Sequence, residues 1–208
     1  MTTSVAVVAH PERLTSALLL RDQVQADHVS VDHFGRGEQW NHQEALEALA
    51  RQPDQADWLV LLEDDAIPCS GFRAQLDRAL EHAPAGIVSL YLGTGRWAGT
   101  APSQHEPVVR GLVEDADRDG AQWITTGALW HAVGVAIPRE HAVSLLQHLR
   151  GSTRPTDEAI TDWCRQRRVA VHYTHPSLVD HRDERRLVHA REQHVPRRAW
   201  RFEEAGRT

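Results

Sequence analysis

An apolar run that ends in three carboxylates is the feature that most constrains the fold of this chain. Residues 58–62 read WLVLL and are apolar at every position. A strand that is apolar on both faces belongs in the middle of a sheet that is covered on both sides, as in α/β proteins. Glu63, Asp64 and Asp65 follow directly. Because open α/β sheets bind ligands at the carboxyl ends of their strands, this acidic triplet stands where a binding site is expected.

The rest of the chain alternates between strand and helix patterns. Strands are predicted at residues 4–9, 28–32, 58–62, 86–92, 122–125, 132–137 and 169–173. Helices are predicted at residues 12–25, 41–50, 70–82, 138–149 and 156–167. Asn41 is predicted to cap the second helix, and residues 93–120 are predicted to be loop with a short strand at 108–112. The alternation predicts one Rossmann-like α/β domain with an open, mixed, mostly parallel sheet flanked by helices.

Length and composition predict the number of domains and the location of the protein. The 208 residues suffice for one domain, predicted at 1–181, and the arginine-rich residues 182–208 are predicted to pack on it as an extension. No apolar run reaches 18 residues, so no transmembrane helix is expected. The N-terminus lacks a basic segment and a cleavage site, so a cytoplasmic location is expected. The two cysteines, Cys69 and Cys164, are expected to be reduced thiols.

The acidic triplet points to a divalent cation. Three adjacent carboxylates repel one another, and a hard cation such as Mg²⁺ or Mn²⁺ removes that cost while keeping open positions for phosphates. If the strand alternation continues, Glu63 and Asp65 lie on one side and Asp64 on the other. The alternative is a solvated acidic turn in which Asp64 or Asp65 caps the next helix.

Four segments, taken in order, resemble motifs of the GT-A glycosyltransferases, especially the family-25-like group that modifies lipopolysaccharide and related acceptors. They are LLEDDA at 61–66 followed by Pro68, TTGA at 125–128 leading into 133–138, PTD at 155–157, and HPSLV at 175–179. The resemblance covers residues 57–181, and Trp130 and His131 depart from the group's pattern. The chain has no lysine, which indicates a GC-rich genome and suits an actinobacterial or bacteriophage member.

The resemblance implies a nucleotide-diphosphate sugar donor, usually a UDP-sugar, and Mn²⁺ or Mg²⁺ as the metal. By matched position, Asp65 is the main metal ligand, and Glu63 contacts the ribose or the metal. His181 is the candidate for the late histidine ligand that such enzymes often add. Asp64 and Gly127 are further candidates for contact with the donor.

Two segments that precede the triplet are also candidates for donor binding. Ala9, His10 and Arg13 lie where GT-A folds hold the nucleotide base, and Arg13 at a helix start suits a diphosphate. The alternative there is a capping loop with a solvated arginine. Asn41 and His42 stand one helix before the triplet and either reach the donor or, for Asn41, only cap the helix.

Asp157 and Glu158 are the candidate catalytic carboxylates. An inverting transferase needs a general base for the acceptor hydroxyl, and Asp157 is the preferred candidate. A retaining enzyme would instead use Asp157 to bind hydroxyl groups. The alternative is that both residues only stabilise the N-terminus of a helix, because the helix dipole favours negative charge there.

The acceptor and two rival functions stay open at this stage. The acceptor is a glycan or, for a phage enzyme in host cytoplasm, a modified DNA base such as a hydroxymethylated pyrimidine. One rival function is a metal-dependent hydrolase or nucleotidyltransferase that uses the same carboxylates. The other is a nucleic-acid-binding module that uses the tail arginines, although the net charge of −6 gives no overall attraction to nucleic acid. Those arginines are Arg185, Arg186, Arg191, Arg197 and Arg198.

Overall fold

The computed structural model describes residues 1–53, 55–94, 102–182 and 197–202. The strands are β1 (Thr3–Ala9), β2 (His28–Val31), β3 (Trp58–Glu63), β4 (Ala66–Pro68), β5 (Ile87–Ser89), β6 (Trp123–Thr126), β7 (Gly134–Pro138), β8 (Val171–Thr174) and β9 (Val179–His181). The α-helices are α1 (Leu14–Val24), α2 (Glu38–Ala50), α3 (Phe72–Glu81), α4 (Pro102–Asp119), α5 (Arg139–Arg150) and α6 (Thr156–Arg167). A short 3₁₀ helix, Pro11–Arg13, precedes α1.

Seven strands form one central sheet in the order β2-β1-β3-β7-β5-β8-β6. Strand β1 runs parallel to β2 and β3, and β5 runs parallel to β8. Strands β7 and β6 run antiparallel to their neighbours. The prediction of a mixed, mostly parallel, Rossmann-like sheet flanked by helices is confirmed. None of the helices in the described ranges is long and apolar enough to cross a membrane.

Strand β3 is apolar at successive positions because each of its faces packs against a different layer. Leu59 and Leu61 pack with apolar side chains of α2, α4, α5 and α6. Val60 and Leu62 pack on the opposite face with side chains of α1 and α3. Burying both faces of a strand requires layers on both sides of the sheet. Cys69 and Cys164 belong to different faces, so the sheet separates the two thiols.

Two parts of the fold differ from the sequence predictions. Residues 102–119 form helix α4, so the prediction of loop with a strand at 108–112 is wrong. The side chains of Val109, Val113 and Ala116, at helical spacing, turn toward the core. The second difference is a small antiparallel sheet of β4 and β9, which pairs Ala66 with His181. Each of its strands has three residues, too few to show an alternating pattern.

Helix α2 begins at Glu38, one turn earlier than predicted, and Asn41 is therefore not its cap. The Asn41 side chain instead joins α2 to the sheet. Its amide nitrogen donates to the carbonyl of Ala9 at 3.0 Å, and its oxygen accepts from the Ser30 hydroxyl at 2.6 Å. One buried side chain thus ties α2 to both β1 and β2.

Part of the arginine-rich extension lies against the central sheet. Ala199 forms an antiparallel bridge with Gly93, and Phe202 forms a parallel bridge with Ser177. The backbone N–H of Trp200 donates to the carbonyl of Leu92 at 2.9 Å. Arg185, Arg186 and Arg191 lie outside the described residues.

Candidate functional site

The acidic triplet lies on the turn between β3 and β4, beside the end of β1. Strands β1 and β3 are parallel, so their carboxyl ends meet at one edge, where Val8 pairs with Glu63. The backbone N–H of Asp64 continues the ladder by donating to the carbonyl of Val8 at 3.0 Å. Residues 9–13, which follow β1, are thereby brought next to the triplet.

Arg13 holds two members of the triplet. Its Nη1 atom lies 3.1 Å from Asp64 Oδ1 and 2.7 Å from Asp65 Oδ2. Asp64 also accepts from the backbone N–H of His10 at 2.7 Å. The prediction that Asp64 and Asp65 point to opposite sides is wrong, because the chain turns after Glu63 and strand alternation ends there. The alternative of a solvated Arg13 is also wrong, since its guanidinium is paired and mostly buried.

Asp65 and His181 meet where the small sheet joins the triplet. The pairing of β4 with β9 places His181 Nε2 3.4 Å from Asp65 Oδ2, a close contact that does not meet hydrogen-bond geometry. Burial alone would raise the pKa of Asp65, but the His181 imidazole and the Arg13 guanidinium outweigh it and hold that pKa below its usual value. Within the described ranges, Asp65 Oδ1 and both ring nitrogens of His181 are buried and have no hydrogen-bond partner.

Tyr91 and His131 extend this cluster, although no sequence pattern selects them. The ring of Tyr91 lies 5.5 Å from that of His131 and 6.3 Å from that of His181, between centroids. Burial raises the pKa of Tyr91 above its usual value and lowers that of His131 to about 3, so His131 is neutral. The Tyr91 hydroxyl and His131 Nε2 likewise have no hydrogen-bond partner among the described residues.

Arg197 adds a positive charge to the same region. Its guanidinium acts on Glu63, Tyr91 and His131, and its positive charge favours a lower pKa for each of them. For Glu63 and Tyr91 it opposes the effect of burial, and for His131 it adds to that effect. The sequence marks Arg197 only as one of several tail arginines. Its relation to the site arises because residues 197–202 lie across the ends of central strands, which no local pattern indicates.

Glu63 turns toward helix α2. Its Oε1 atom lies 3.7 Å from Nε2 of the buried His42. Glu38, His42 and Glu63 each present an atom able to bind a metal, and these atoms lie within 4.8 Å of one another. Burial and the carboxylates of Asp65 and Glu38 raise the pKa of Glu63 well above its usual value. The predicted metal trio is therefore divided: Asp65 contacts His181, whereas Glu63 contacts His42.

Asp157 lies at the first turn of α6 near Glu38. Burial, together with the neighbouring carboxylates of Glu38 and Glu158, raises the pKa of Asp157 to about 6. Glu158 instead forms an ion pair with Arg154, with 2.9 Å between Nη2 and Oε2. The charge of Glu38 thus acts on Asp157, while Glu158 pairs with Arg154 at the surface.

Gly127 and Ala9 complete the set of predicted donor contacts. Thr126 pairs with Val171, the first residue of β8, so Gly127 lies at the edge of the sheet opposite the triplet. Gly127 therefore does not lie with the other residues predicted to contact the donor. The carbonyl of Ala9, which ends β1, is used by Asn41, whose own polar atoms are also occupied. His10, Arg13, His42 and Glu63 remain grouped with Asp65 and His181.

Comparisons with known proteins give distant likenesses. No protein-family model and no curated protein matches the chain. The crystal structure of A197 from STIV aligns with 100% of this chain and 98% of its own, at 12% identity and a TM-score of 0.49. Mannose-1-phosphate geranyltransferase from Thermus thermophilus aligns with 84% of this chain and 74% of its own, at 14% identity and a TM-score of 0.43. Likenesses this remote do not assign a function, which has to be argued from the chain's own residues.

Proposed function

We propose that this protein is a metal-dependent glycosyltransferase that moves a sugar from a nucleotide-diphosphate sugar to an acceptor hydroxyl. The observation that carries the proposal is the set of buried, unpartnered polar atoms at the carboxyl edge of the sheet, within the described residues: Asp65 Oδ1, the His181 ring nitrogens, the Tyr91 hydroxyl and His131 Nε2. Unpartnered buried polar atoms are costly, and their concentration at one place indicates a site built for a ligand.

The donor atoms of Asp65 and His181 fit a divalent cation. A carboxylate together with an imidazole suits Mn²⁺ better than Mg²⁺, which prefers oxygen ligands only. Asp65 and His181 would hold the ion. When bound, such an ion would neutralise the negative charge on a leaving nucleoside diphosphate. This assignment agrees with the resemblance of residues 57–181 to GT-A enzymes.

Positive charge around the carboxylates supports a diphosphate ligand. Arg13 presents a guanidinium fixed by Asp64 and Asp65, and Arg197 adds a second one from the extension. Guanidinium groups bind phosphate oxygens through charge-assisted hydrogen bonds. Arg13 and Arg197 thus hold the diphosphate, with His10 and the His42–Glu63 pair beside the nucleoside and sugar.

Asp157 serves as the base for the acceptor in this proposal. A carboxyl with a pKa of about 6 is ionised at neutral pH and still basic enough to accept a proton. The acceptor oxygen bonds to the anomeric carbon, its proton passes to Asp157, and the bond from that carbon to the diphosphate oxygen breaks. The products are the glycosylated acceptor and a nucleoside diphosphate.

A thermal-shift screen tests the proposal. UDP-, GDP-, ADP- and TDP-sugars are each added with and without Mn²⁺, since a bound ligand stabilises the folded state by mass action. We expect one donor to raise the melting temperature only when Mn²⁺ is present, and Asp65→Asn to abolish that rise. Asp22→Asn is the matched control, because Asp22 is exposed on α1 and pairs with its neighbour Arg21. A screen in which no donor gives a metal-dependent rise would contradict the proposal.

The released product separates the transferase from its rival. With the donor found in the screen, glycans and DNA containing hydroxymethylated pyrimidines are supplied as acceptors. Release of nucleoside diphosphate that depends on the acceptor supports a transferase. Release of inorganic phosphate or pyrophosphate would instead identify a hydrolase or nucleotidyltransferase that uses the same carboxylates.

A further inference from the structure

Glu38, His42 and Glu63 form a compact group of metal-binding side chains that the proposed reaction does not use as a metal site. Glu38 and His42 are one helical turn apart on α2, so they share a face of that helix. Glu63 approaches that face from the end of β3, and one atom of each residue lies within 4.8 Å of the other two. Two carboxylates and an imidazole, carried by a helix and a strand, thus converge at one point.

The hydrogen bonding of His42 leaves one ring nitrogen available. His42 Nδ1 lies 3.0 Å from the backbone carbonyl of Glu38 and 3.4 Å from the carboxylate Oε1 of the same residue. A carbonyl oxygen only accepts, so Nδ1 carries the proton and donates it, and in the neutral ring Nε2 holds the lone pair. Metal-binding histidines are commonly fixed in this way by a backbone carbonyl on the other nitrogen.

The available nitrogen is buried and lacks a partner. The His42 side chain is 2% exposed, and Nε2 makes no hydrogen bond within the described residues. It faces Glu63 Oε1 at 3.7 Å, which places a lone pair opposite a carboxylate oxygen. Glu38 is 39% exposed and leaves the group open to solvent on one side. An ion entering from that side would satisfy Nε2 and reduce the repulsion between the carboxylates.

The start of α2 is held in place before any ion binds. Asp32 accepts from the backbone N–H groups of Arg36 at 2.9 Å and Gly37 at 2.7 Å. These bonds fix the residues that lead into Glu38. The ligand-bearing turn of α2 is therefore positioned by the fold and does not require the ion to order it.

We propose that Glu38, His42 and Glu63 form a second divalent-cation site, separate from the ion expected at Asp65 and His181. Two carboxylates with one imidazole favour Zn²⁺ or Mn²⁺ over Mg²⁺. An ion here adds positive charge beside Glu63, at the end of β3 where the acidic triplet begins. The site goes beyond the proposed function and does not depend on the transfer reaction.

Titration calorimetry with Zn²⁺, Mn²⁺ and Mg²⁺ alone, without nucleotide, tests this site on the full chain. We expect two Zn²⁺ or Mn²⁺ ions to bind to the wild type, and Glu38→Gln to weaken one of them at least about tenfold. Glu38 is at the surface, so this variant should fold. Glu44→Gln on the same helix is the control, because Glu44 is exposed and lies outside the group. In crystals soaked with Zn²⁺, we expect an anomalous peak between His42 and Glu63.

The variants distinguish failure of this site from failure of the proposed function. If Glu38→Gln binds both ions as the wild type does, the second site does not exist, whatever Asp65→Asn shows. If Asp65→Asn leaves metal binding unchanged while Glu38→Gln loses an ion, the second site stands and the metal assignment of the transferase fails. An anomalous map without a peak at His42 would also overturn the second site.

Discussion

Arg13 and Asp65 form an ion pair across 52 residues of sequence, with Arg13 Nη1 2.7 Å from Asp65 Oδ2. Both side chains are mostly buried, with 13% and 10% of their surface exposed. The same guanidinium also contacts Asp64, so one cation offsets two adjacent carboxylates. The pair therefore connects the segment after β1 to the turn after β3, and it orders the candidate site as well as the fold.

Replacing Arg13 with alanine is expected to lower the free energy of unfolding by about 3 kcal/mol, because it leaves two carboxylates with little compensation. His181 and Arg13 together hold the pKa of Asp65 below its usual value, so their contacts with Asp65 stabilise the protein above the unfolded pKa of about 3.9 and stop doing so as the pH falls through the folded pKa. The free energy of unfolding that Arg13→Ala loses should therefore be smaller in acid. Urea unfolding at about pH 7 and about pH 3, on either side of the unfolded pKa, measures it.

Arg21→Ala is the control for that experiment. Arg21 pairs with its neighbour Asp22 on the exposed face of α1, and such surface pairs contribute at most about 1 kcal/mol. We expect Arg21→Ala to have a much smaller effect at both pH values. If both variants lose the same free energy of unfolding, the buried pair stabilises the fold no more than a surface pair does.

Asp157→Asn is expected to stabilise the protein at neutral pH while reducing its activity. Because the folded pKa of about 6 is raised above the unfolded value, the group's favourable contribution is present below about pH 3.9 and is lost as the pH rises through about 6. Asparagine removes that loss of stability, which is on the order of 3 kcal/mol. Urea unfolding should show the gain at about pH 7 and not at about pH 4.

The same variant tests the role of Asp157 as a base. Turnover of the wild type should rise as the pH passes about 6, and Asp157→Asn should be slow with a flat profile. Asp162→Asn, on the same helix, is the control, since Asp162 pairs with Arg154 at the surface. It should leave the profile unchanged. A wild-type profile that survives in Asp157→Asn would remove Asp157 from the reaction.

The parts of the fold that the sequence predicts are those with strong local patterns. Strand β3, which is apolar on both faces, can be placed inside the sheet from its composition alone. Helix α6 lies at residues 156–167, as the pattern there predicts. Helix α4 is not predicted, because its apolar residues are sparse and Pro107 and Gly111 lie within it. In the sequence, the proline and the glycine obscure the helical spacing of the apolar residues. In the structure, the packing of those apolar residues on the sheet stabilises the helix nevertheless.

The site is predictable in its centre and not at its margins. The carboxylates of Glu63 and Asp65 stand out because three acids end an apolar strand. Tyr91 and His131 cannot be selected, since buried aromatic and histidine residues beside strands are ordinary core residues. Tyr91 contacts His131 and His181 only because of the sheet order and the small sheet that carries His181. Such neighbours depend on long-range pairing, which a local pattern does not encode.

Tyr91→Phe separates a ligand-binding hydroxyl from a structural one. The Tyr91 hydroxyl is buried without a hydrogen-bond partner in the described ranges, so removing it should leave the free energy of unfolding unchanged or raise it by about 1 kcal/mol. Turnover should nevertheless fall about tenfold, the loss expected for one hydrogen bond to a ligand. Chemical unfolding and a nucleoside-diphosphate release assay give the two values.

The chain's other tyrosine provides the comparison. The Tyr173 hydroxyl donates to the carbonyl of Ala128 at 3.0 Å and accepts from the backbone N–H of Trp130 at 2.8 Å. Tyr173→Phe leaves both backbone groups without that partner and should cost about 1 to 3 kcal/mol. If Tyr91→Phe is as destabilising as Tyr173→Phe, the Tyr91 hydroxyl is structural and not a ligand contact.

Arg197→Gln should weaken donor binding although Arg197 belongs to the arginine-rich extension. Its charge acts on Glu63, Tyr91 and His131, three side chains of the candidate site. Loss of one charge-assisted contact to a phosphate should raise the Kd of the donor at least about tenfold, measured by calorimetry with Mn²⁺ present. Arg198→Gln is the control, since the neighbouring Arg198 is exposed and lies 3.6 Å from Asp180 through Nη1 and Oδ2. It should bind the donor as the wild type does. Equal weakening by both variants would mean that the extension contributes only general positive charge, and Arg197 would lose its place in the site.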